Sequence, residues 1–126
     1  MTDDNVRYFP RLGIGEAMRL FGMTARALRF YEEKGLIEAR RDRMNCRYYD
    51  PVARKRLGWI GPLRAAGLSL ADIMTVIEAD ETDGRGRETA LSLLQGRRQA
   101  LQLELAQLDL ALEKYSGPSQ PLRKTS

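Results

Sequence analysis

The sequence contains no histidine and only one cysteine among its 126 residues. A Ser-His-Asp or Cys-His catalytic site requires a histidine, and a zinc site built from Cys and His needs three or four such ligands. One cysteine cannot form an intramolecular disulfide, which suits a reducing compartment. These shortages exclude the commonest hydrolytic and zinc-dependent functions, and we expect no enzyme activity, no metal and no cofactor.

Targeting and membrane signals are also missing. Residues 1–5 are polar and acidic rather than basic and apolar, unlike the start of a secretory signal peptide. No apolar run approaches the ~20 residues that a membrane-spanning helix needs. We therefore expect a cytoplasmic protein with no membrane partner.

Positive charge is concentrated in one part of the chain. The formal net charge is +4, yet residues 1–70 hold 14 basic and 8 acidic side chains, and residues 40–64 alone hold 8 basic and 2 acidic ones. Such clustering is typical of a face that binds a polyanion. A solvated helix face next to a charged loop explains the same counts, and charge alone does not separate the two.

Two short helices joined by a glycine-containing turn are predicted near the N-terminus. Apolar residues recur with the i, i+3, i+4, i+7 spacing of a buried helical face at Ile14, Ala17, Met18 and Phe21. Gly22 ends this helix, and Thr24 is a plausible N-cap for a second helix over residues 25–34. The pair forms a helix-turn-helix pattern, which by itself any small helical bundle could contain.

A hairpin and two more helices are predicted next. Residues 38–49 read as two short strands around a polar tip, a β-hairpin wing. Asp50 and Pro51 begin a third helix to about residue 66, which Pro62 should kink or split. Its inward side chains are expected to be Val52, Leu57, Ile60 and Leu63. Ser69 and Asp72 resemble a capping box that opens a fourth helix, with Ile73, Val76 and Ile77 inward.

A long C-terminal helix with a coiled-coil pattern follows a polar break at residues 78–87. Over residues 88–115 apolar residues recur at alternating intervals of three and four positions and form a seam that only Arg98 interrupts. The seam residues are Leu91, Leu94, Leu101, Leu105, Leu108, Leu112 and Tyr115. A lone helix some 42 Å long at ~1.5 Å per residue must bury such a seam, and a second copy is the simplest partner. Leu93, Leu103 and Leu110 lie off the seam, and we expect them to pack against a globular domain.

The order of these motifs resembles that of the MerR family of transcription regulators. The resemblance covers about residues 12–80, through the segments Ile14-Gly15-Glu16, residues 24–32, Gly35-Leu36-Ile37, Arg47-Tyr48-Tyr49 and residues 67–73. It implies a mainly α protein: a winged helix-turn-helix domain with a small β-hairpin wing, followed by a long helix that forms an antiparallel coiled-coil homodimer. The corresponding division is a tail at 1–10, the DNA-binding domain at 11–80, a linker at 81–87, the dimerisation helix at 88–115 and a flexible tail at 116–126.

The resemblance also implies a function. Family members typically bind double-stranded DNA at a pseudo-palindrome inside a promoter whose spacer is too long, and distort it so that RNA polymerase, a further candidate partner, can use it. In this chain the predicted DNA contacts are Thr24, Arg26, Arg29, Tyr31, Arg40, Arg41, Arg43, Arg47, Tyr48 and Arg54. Arg26 and Arg29 are three residues apart, so they share a helix face that can enter the major groove.

Structural roles compete with several of these assignments. Arg29 could pair with Glu32 or Glu33 within its own helix. Tyr31 and Tyr49 could be core aromatics. Most of the run formed by Arg54, Lys55 and Arg56 could be a solvated face.

Residues that would sense a signal are scarce. The family's metal-sensing branches carry cysteines near the start of the long helix and in the loop after it, and residues 80–85 and 116–120 contain none. At the wing tip Asn45 and Cys46 stand where the family often has other residue types. Cys46 between Arg43 and Arg47 could react with an oxidant, although a small wing residue is the simpler interpretation. Acidic side chains could hold a cation but more simply form a solvated loop: Glu78, Asp80, Glu81 and Asp83.

Two other functions stay open from the sequence. One is an excisionase-like or architectural DNA-binding protein that does not remodel promoters, against which the long seam argues. The other is a coiled-coil interaction protein with an incidental basic patch, against which the clustering of basic residues argues.

Overall fold

The computed structural model describes residues 11–118, and this range folds into five helices and three short strands. In chain order they are β1 (Leu12–Gly13), α1 (Ile14–Phe21), α2 (Ala25–Glu33), β2 (Arg40–Arg41), β3 (Arg47–Tyr49), α3 (Pro51–Ala65), α4 (Leu70–Asp83) and α5 (Gly86–Tyr115). The predicted tail at 1–10, and residues 119–126 of the predicted C-terminal tail, lie outside the described residues.

The wing is an antiparallel sheet of order β1-β3-β2. The predicted hairpin of β2 and β3 is confirmed, with Arg40 paired to Tyr48. On its other side β3 pairs with β1, where Leu12 lies opposite Tyr49. A strand of two residues directly before a helix carries no periodicity, so the sequence did not indicate β1. This third strand ties the wing to the start of α1.

Capping residues set the beginnings of three helices as predicted. The hydroxyl of Thr24 accepts a hydrogen bond from the backbone N–H of Ala27 at 3.0 Å, at the start of α2. Asp50 and Ser69 do the same for α3 and α4, accepting from the third residue along at 2.9 and 3.1 Å. Each cap satisfies one of the N–H groups that a helix leaves unpaired at its start.

One hydrophobic core joins all five helices to the wing. Its largest fully buried side chains come from α2, β3, α3 and α4, and they are Leu28, Tyr49, Leu57, Ile60, Ile73, Val76 and Ile77. The predicted inward residues of α4 are therefore confirmed. The first turns of α5 close the core with Ala90, while Leu93 and Leu94 pack against it from outside.

The expected inward position of Val52 in α3 is wrong, and so is the expected split of this helix at Pro62. Val52 is 57% exposed, because Ala53 rather than Val52 begins the i, i+4, i+7 face that continues through Leu57 and Ile60. Pro62 does not split the helix, which runs unbroken to Ala65. The carbonyl that loses its partner to the proline ring belongs to Gly58, which is exposed, so water can satisfy it.

The predicted break at 78–87 is also wrong over most of its length, because α4 is helical to Asp83 and α5 begins at Gly86. Ion pairs to α3 stabilise the end of α4: Arg56 binds Glu81 through two hydrogen bonds of 2.7 Å, and the Lys55 ammonium lies 3.3 Å from Asp80. Hydrogen bonding to Arg56 lowers the pKa of Glu81. The acidic residues are thus not a solvated loop, and residues 11–118 contain no group of three or more His, Cys, Asp or Glu side chains placed to hold a metal ion.

Gly86 lets α5 begin close against α3 and α4. A Cβ atom at this position would lie 2.6 Å from the Cβ of Asp80 and 2.8 Å from Cζ2 of Trp59. We expect Gly86→Ala to lower the free energy of unfolding by about 1–3 kcal/mol, the usual cost of overpacking. Urea unfolding followed by circular dichroism measures the change.

The matched control is Gly96→Ala in the same helix, where a Cβ atom would meet nothing within 4 Å. There the better helix propensity of alanine should leave stability unchanged or raise it by up to about 1 kcal/mol. Equal effects of the two substitutions would contradict the close approach at Gly86.

Beyond its first turns α5 leaves the globular part of the chain. Every residue from Arg98 to Pro118 is exposed. The prediction that off-seam leucines pack on a globular domain is confirmed for Leu93 but wrong for Leu103 and Leu110, which are 66% and 59% exposed. They lie too far along the helix to reach the core. No helix within the described range is both long and apolar enough to cross a membrane.

Candidate nucleic-acid interface

Helix α2 presents two free guanidinium groups to solvent. Its inner face buries Leu28 and Tyr31 in the core, and this orientation turns Arg26 and Arg29 outward. Within residues 11–118 neither arginine forms an ion pair, so the predicted alternative, pairing of Arg29 with Glu32 or Glu33, is wrong. Two exposed cations on one helical face, with no acidic partner within the described range, suit an anionic ligand.

Tyr31 lies mostly in the core rather than on this face. Only 8% of the residue is exposed, and its ring meets the ring of Phe30 edge-on at 5.7 Å between centroids. The structure therefore favours the core alternative for the ring, and the contact of the Tyr31 hydroxyl with DNA stays a prediction. Phe30 and the Lys34 ammonium, 5.6 Å above its ring, occupy the exposed side instead.

A half-buried carboxylate, that of Glu32, joins the wing to α2. Glu32 accepts hydrogen bonds from Arg47 Nη2 and from the Tyr49 hydroxyl, each at 2.5 Å. Tyr49 is fully buried, so it too is a core aromatic, and burial together with the hydrogen bond to Glu32 raises the pKa of its hydroxyl well above the usual range. Arg47 is thus held by Glu32 and helps to orient the wing, and its contact with DNA stays a prediction.

The other wing arginines differ in how firmly they are held. Arg40 donates to Asp50 at 2.7 Å, and this contact raises the pKa of the guanidinium. Burial acts to raise the pKa of Asp50, but hydrogen bonds from Ala53 and Arg40 outweigh it and lower the pKa. Arg41 donates to the backbone oxygen of Asn45 at 2.8 Å. Arg40 and Arg41 remain exposed despite these contacts, so both can still meet a phosphate.

The wing tip is a tight turn that ends beside an exposed arginine. The Asp42 carboxylate accepts from the backbone N–H groups of Met44 and Cys46, both at 2.9 Å, and Asn45 adopts a left-handed conformation with φ of 64°. Asparagine tolerates this conformation better than most residues, so Asn45 suits this position of the turn. Arg43 is exposed and has no ion pair within the described range.

Two further predicted contacts lie at the edges of this surface. Tyr48 is half-buried, and the guanidinium of Arg11 lies over its ring at 5.3 Å from the centroid. Arg54 is half-buried near the start of α3 and has interactions of its own. The neighbouring Lys55 and Arg56 bind α4, so the run is not simply a solvated face.

Sequence reasoning missed the central role of Glu32. Its partners Arg47 and Tyr49 lie 15 and 17 residues away along the chain. No local spacing rule links such positions. α2 carries two neighbouring glutamates, and nothing in the sequence separates Glu32, which binds the wing, from the exposed Glu33.

We expect Glu32→Gln to loosen the wing and to lower the free energy of unfolding by about 1–3 kcal/mol. The substitution leaves the half-buried guanidinium of Arg47 without its counter-charge, which is the costly way to break such a contact. Glu33→Gln is the matched control, because Glu33 is exposed and has no ion pair within residues 11–118. Urea unfolding compares the two, and equal stability of both variants would show that Glu32 does not join the wing to α2.

Comparison with known proteins identifies the class to which this architecture belongs. The family model described as "MerR HTH family regulatory protein" matches residues 12–80, which include the whole wing and α1 to α3 and most of α4. The chain therefore belongs to the MerR family. The HTH-type transcriptional regulator CueR of Bacillus subtilis (strain 168) is 38% identical over 65 residues, which are 52% of this chain and 46% of that protein. The match thus spans about half the length of this relative.

Solved structures agree on the fold. The crystal structure of HiNmlR, described as a MerR family regulator lacking the sensor domain and bound to promoter DNA, superposes with a TM-score of 0.56 at 26% identity, covering 82% of this chain and 79% of that one. A MerR-family transcriptional regulator from Bacillus thuringiensis gives a TM-score of 0.53 at 20% identity, covering 83% of this chain and 99% of that one.

Proposed function

We propose that this protein is a sequence-specific DNA-binding transcription regulator that binds a pseudo-palindromic promoter site as a homodimer. The observation that carries the proposal is the exposed pair Arg26 and Arg29 on α2, free of ion pairs within residues 11–118, beside a wing that Glu32 holds at a fixed position. The promoter-bound structure of HiNmlR, a relative that covers most of the chain, supports the same conclusion.

In this proposal α2 enters the major groove and the wing contacts the sugar-phosphate backbone. Arg26 and Arg29 read base edges, since a guanidinium donates two parallel hydrogen bonds to guanine. Arg40, Arg41 and Arg43 contact phosphates and supply affinity rather than specificity. Thr24 lies at the N-terminus of α2, which favours a phosphate. Tyr48 and Arg54 lie at the edge of the surface formed by α2 and the wing. The ring of Tyr31 is in the core, so only its hydroxyl could contact DNA.

The exposed seam of α5 supports the homodimer. Beyond Arg98 its leucines have no cover from residues 11–118, and Leu101, Leu105, Leu108 and Leu112 are each about half exposed or more. An isolated helix with such a face gains stability only by packing. Leu91 and Tyr115 extend the same seam at its two ends, while Leu94 already packs partly on the core.

An antiparallel arrangement avoids a clash of charge. In a parallel pair each seam residue faces its own copy, so the two Arg98 guanidinium groups would meet inside the interface. In an antiparallel pair Arg98 faces a leucine and can extend its charged end to solvent. The antiparallel dimer therefore fits the one interruption of the seam.

DNA distortion and recruitment of RNA polymerase form the finer part of the proposal. A rigid dimer that holds two α2 helices at a set separation can bend or untwist a site whose half-sites do not match it, and binding supplies the energy. An architectural DNA-binding protein with the same domain would show no such link to promoters.

Selection of bound sequences from random DNA tests the proposal. We expect an inverted repeat, and genomic copies of it between promoter elements with an over-long spacer. Enrichment of single half-sites, or sites away from promoters, would favour the architectural alternative. No sequence preference at all would contradict specific recognition.

A further inference from the structure

An apolar cavity lies where α5 leaves the globular part of the chain. It has a volume of about 300 Å³ between α3 and the first turns of α5, and its walls include Trp59, Pro62, Leu63, Arg87, Leu91 and Leu94. This is room for about ten water molecules, enough for one aromatic ring. Leu91 and Leu94 are also the first two residues of the seam. The proposed dimer interface therefore continues directly into the cavity.

The spacing of the seam determines what reaches this cavity in an antiparallel dimer. In such a pair the residue numbers of facing positions have a constant sum, because the helices run in opposite directions. When the two seams overlap completely, Leu101 faces the partner's Leu105 and Arg98 faces the partner's Leu108. The same register pairs Leu94 with the partner's Leu112 and Leu91 with the partner's Tyr115.

Other registers cover less of the seam. A shift by one heptad in either direction leaves two seam residues of each chain without a facing seam residue, either at the start of α5 or at its end. Complete overlap also brings the end of α5, at Tyr115, to the level at which the partner's α5 meets α3. In this register α5 is long enough to reach from the globular part of its own chain to the globular part of the partner.

We propose that Tyr115 of each chain inserts into the cavity of the other, between α3 and α5, and so connects each dimerisation helix to the opposite DNA-binding domain. This rests on the homodimer proposed above. Tyr115 is 78% exposed in the single chain, the largest exposed fraction among the apolar residues of the seam. Its ring fits walls formed by Trp59, Pro62 and Leu63, and its hydroxyl can accept a hydrogen bond from Arg87.

The contact gives the dimer a specific function beyond association. Trp59 and Leu63 belong to α3, the helix that follows the wing and shares the core with α2. A ring seated there fixes the direction in which each α2 points relative to the coiled coil. The pair of cavities would thus set the spacing between half-sites that the dimer accepts, while the leucines of the seam supply most of the association energy.

Disulfide cross-linking tests the register. In a Cys46→Ser background, one preparation carries Leu91→Cys and a second carries Tyr115→Cys; they are mixed and oxidised. We expect a disulfide between the two variants and none within either preparation alone. Leu110→Cys, on the opposite face of α5, replaces Tyr115→Cys as the matched control and should not cross-link.

A second pair separates failure of this contact from failure of the dimer. Leu101→Cys mixed with Leu105→Cys should cross-link in any antiparallel dimer with full overlap of the seam. If Leu101→Cys cross-links with Leu105→Cys but the first pair does not cross-link, the antiparallel dimer is supported and the docking of Tyr115 is wrong. If neither pair links and light scattering gives a monomer, the homodimer itself is wrong, and the docking with it.

Fluorescence tests the occupied cavity without cysteines, because Trp59 is the only tryptophan in the sequence. In the dimer, Tyr115→Ala should expose the indole and shift its emission to longer wavelength by several nanometres, whereas Leu110→Ala should leave emission unchanged. Tyr115→Ala should also weaken binding to the selected palindrome several-fold while the protein stays dimeric. Unchanged emission and DNA affinity in Tyr115→Ala would overturn the proposal.

Discussion

Introducing Leu101→Glu together with Leu105→Glu should convert the protein to a monomer and weaken its binding to a palindromic site by at least ~100-fold. In the antiparallel register these positions face each other at the centre of the coiled coil, so the dimer would have to bury four carboxylates against one another. Burying unpaired charges costs several kcal/mol per group. The loss in DNA affinity follows because two linked half-site contacts gain a factor of ~10²–10⁴ over a single one.

Light scattering at micromolar concentration and fluorescence anisotropy on labelled DNA measure the two effects. The matched control is Leu103→Glu with Leu110→Glu, which adds the same charge to the opposite face of α5. Both variants change exposed residues, so their circular dichroism spectra should keep the helical signal of the parent. A dimer that survives in the seam variant, or dissociates in the control, would contradict the assignment of the seam.

Replacing either Arg26 or Arg29 by alanine should weaken binding to the selected site by about 1–3 kcal/mol, which is roughly 5- to 150-fold. Each arginine is exposed on α2 and free of ion pairs within residues 11–118, so its removal should take away the proposed DNA contact and break no ion pair within that range. The free energy of unfolding should therefore stay within about 0.5 kcal/mol of the parent, as for most surface substitutions.

Arg29→Lys separates base reading from charge. Lysine keeps the positive charge but lacks the planar fork that binds guanine through two hydrogen bonds, so specificity should fall further than total affinity. Arg85→Ala is the control for loss of charge, because Arg85 is exposed between α4 and α5 and its guanidinium lies only 3.8 Å from the exposed Glu88 of the next helix turn. If Arg29→Ala and Arg85→Ala weaken binding equally, α2 is not the recognition helix.

Local chemistry made most of the fold predictable. Thr24, Asp50 and Ser69 begin helices because their side chains satisfy backbone donors within the same turn, and this is visible from sequence alone. The end of α4 was not predictable in this way. Residues Asp80 and Glu81 look like a solvated break, but they are stabilised in the helix by Lys55 and Arg56, which lie about 25 residues earlier.

In the candidate site, too, local spacing predicted some positions and tertiary contacts decided the others. The outward position of Arg26 and Arg29 followed from helical spacing. The positions of Arg47 and Tyr31 depended on tertiary contacts: Arg47 is held by Glu32, and the ring of Tyr31 fills the core. Residue type and spacing indicate which side chains suit DNA, but only the packed structure distinguishes those free to bind from those that orient the wing.

The most direct test of the proposed recognition is the stoichiometry and symmetry of the complex with one selected site. We expect two chains per DNA duplex by native mass spectrometry, and a hydroxyl-radical footprint with two protected regions related by a two-fold axis. One chain per site, or protection spread evenly along the DNA, would contradict binding of a palindrome by a homodimer.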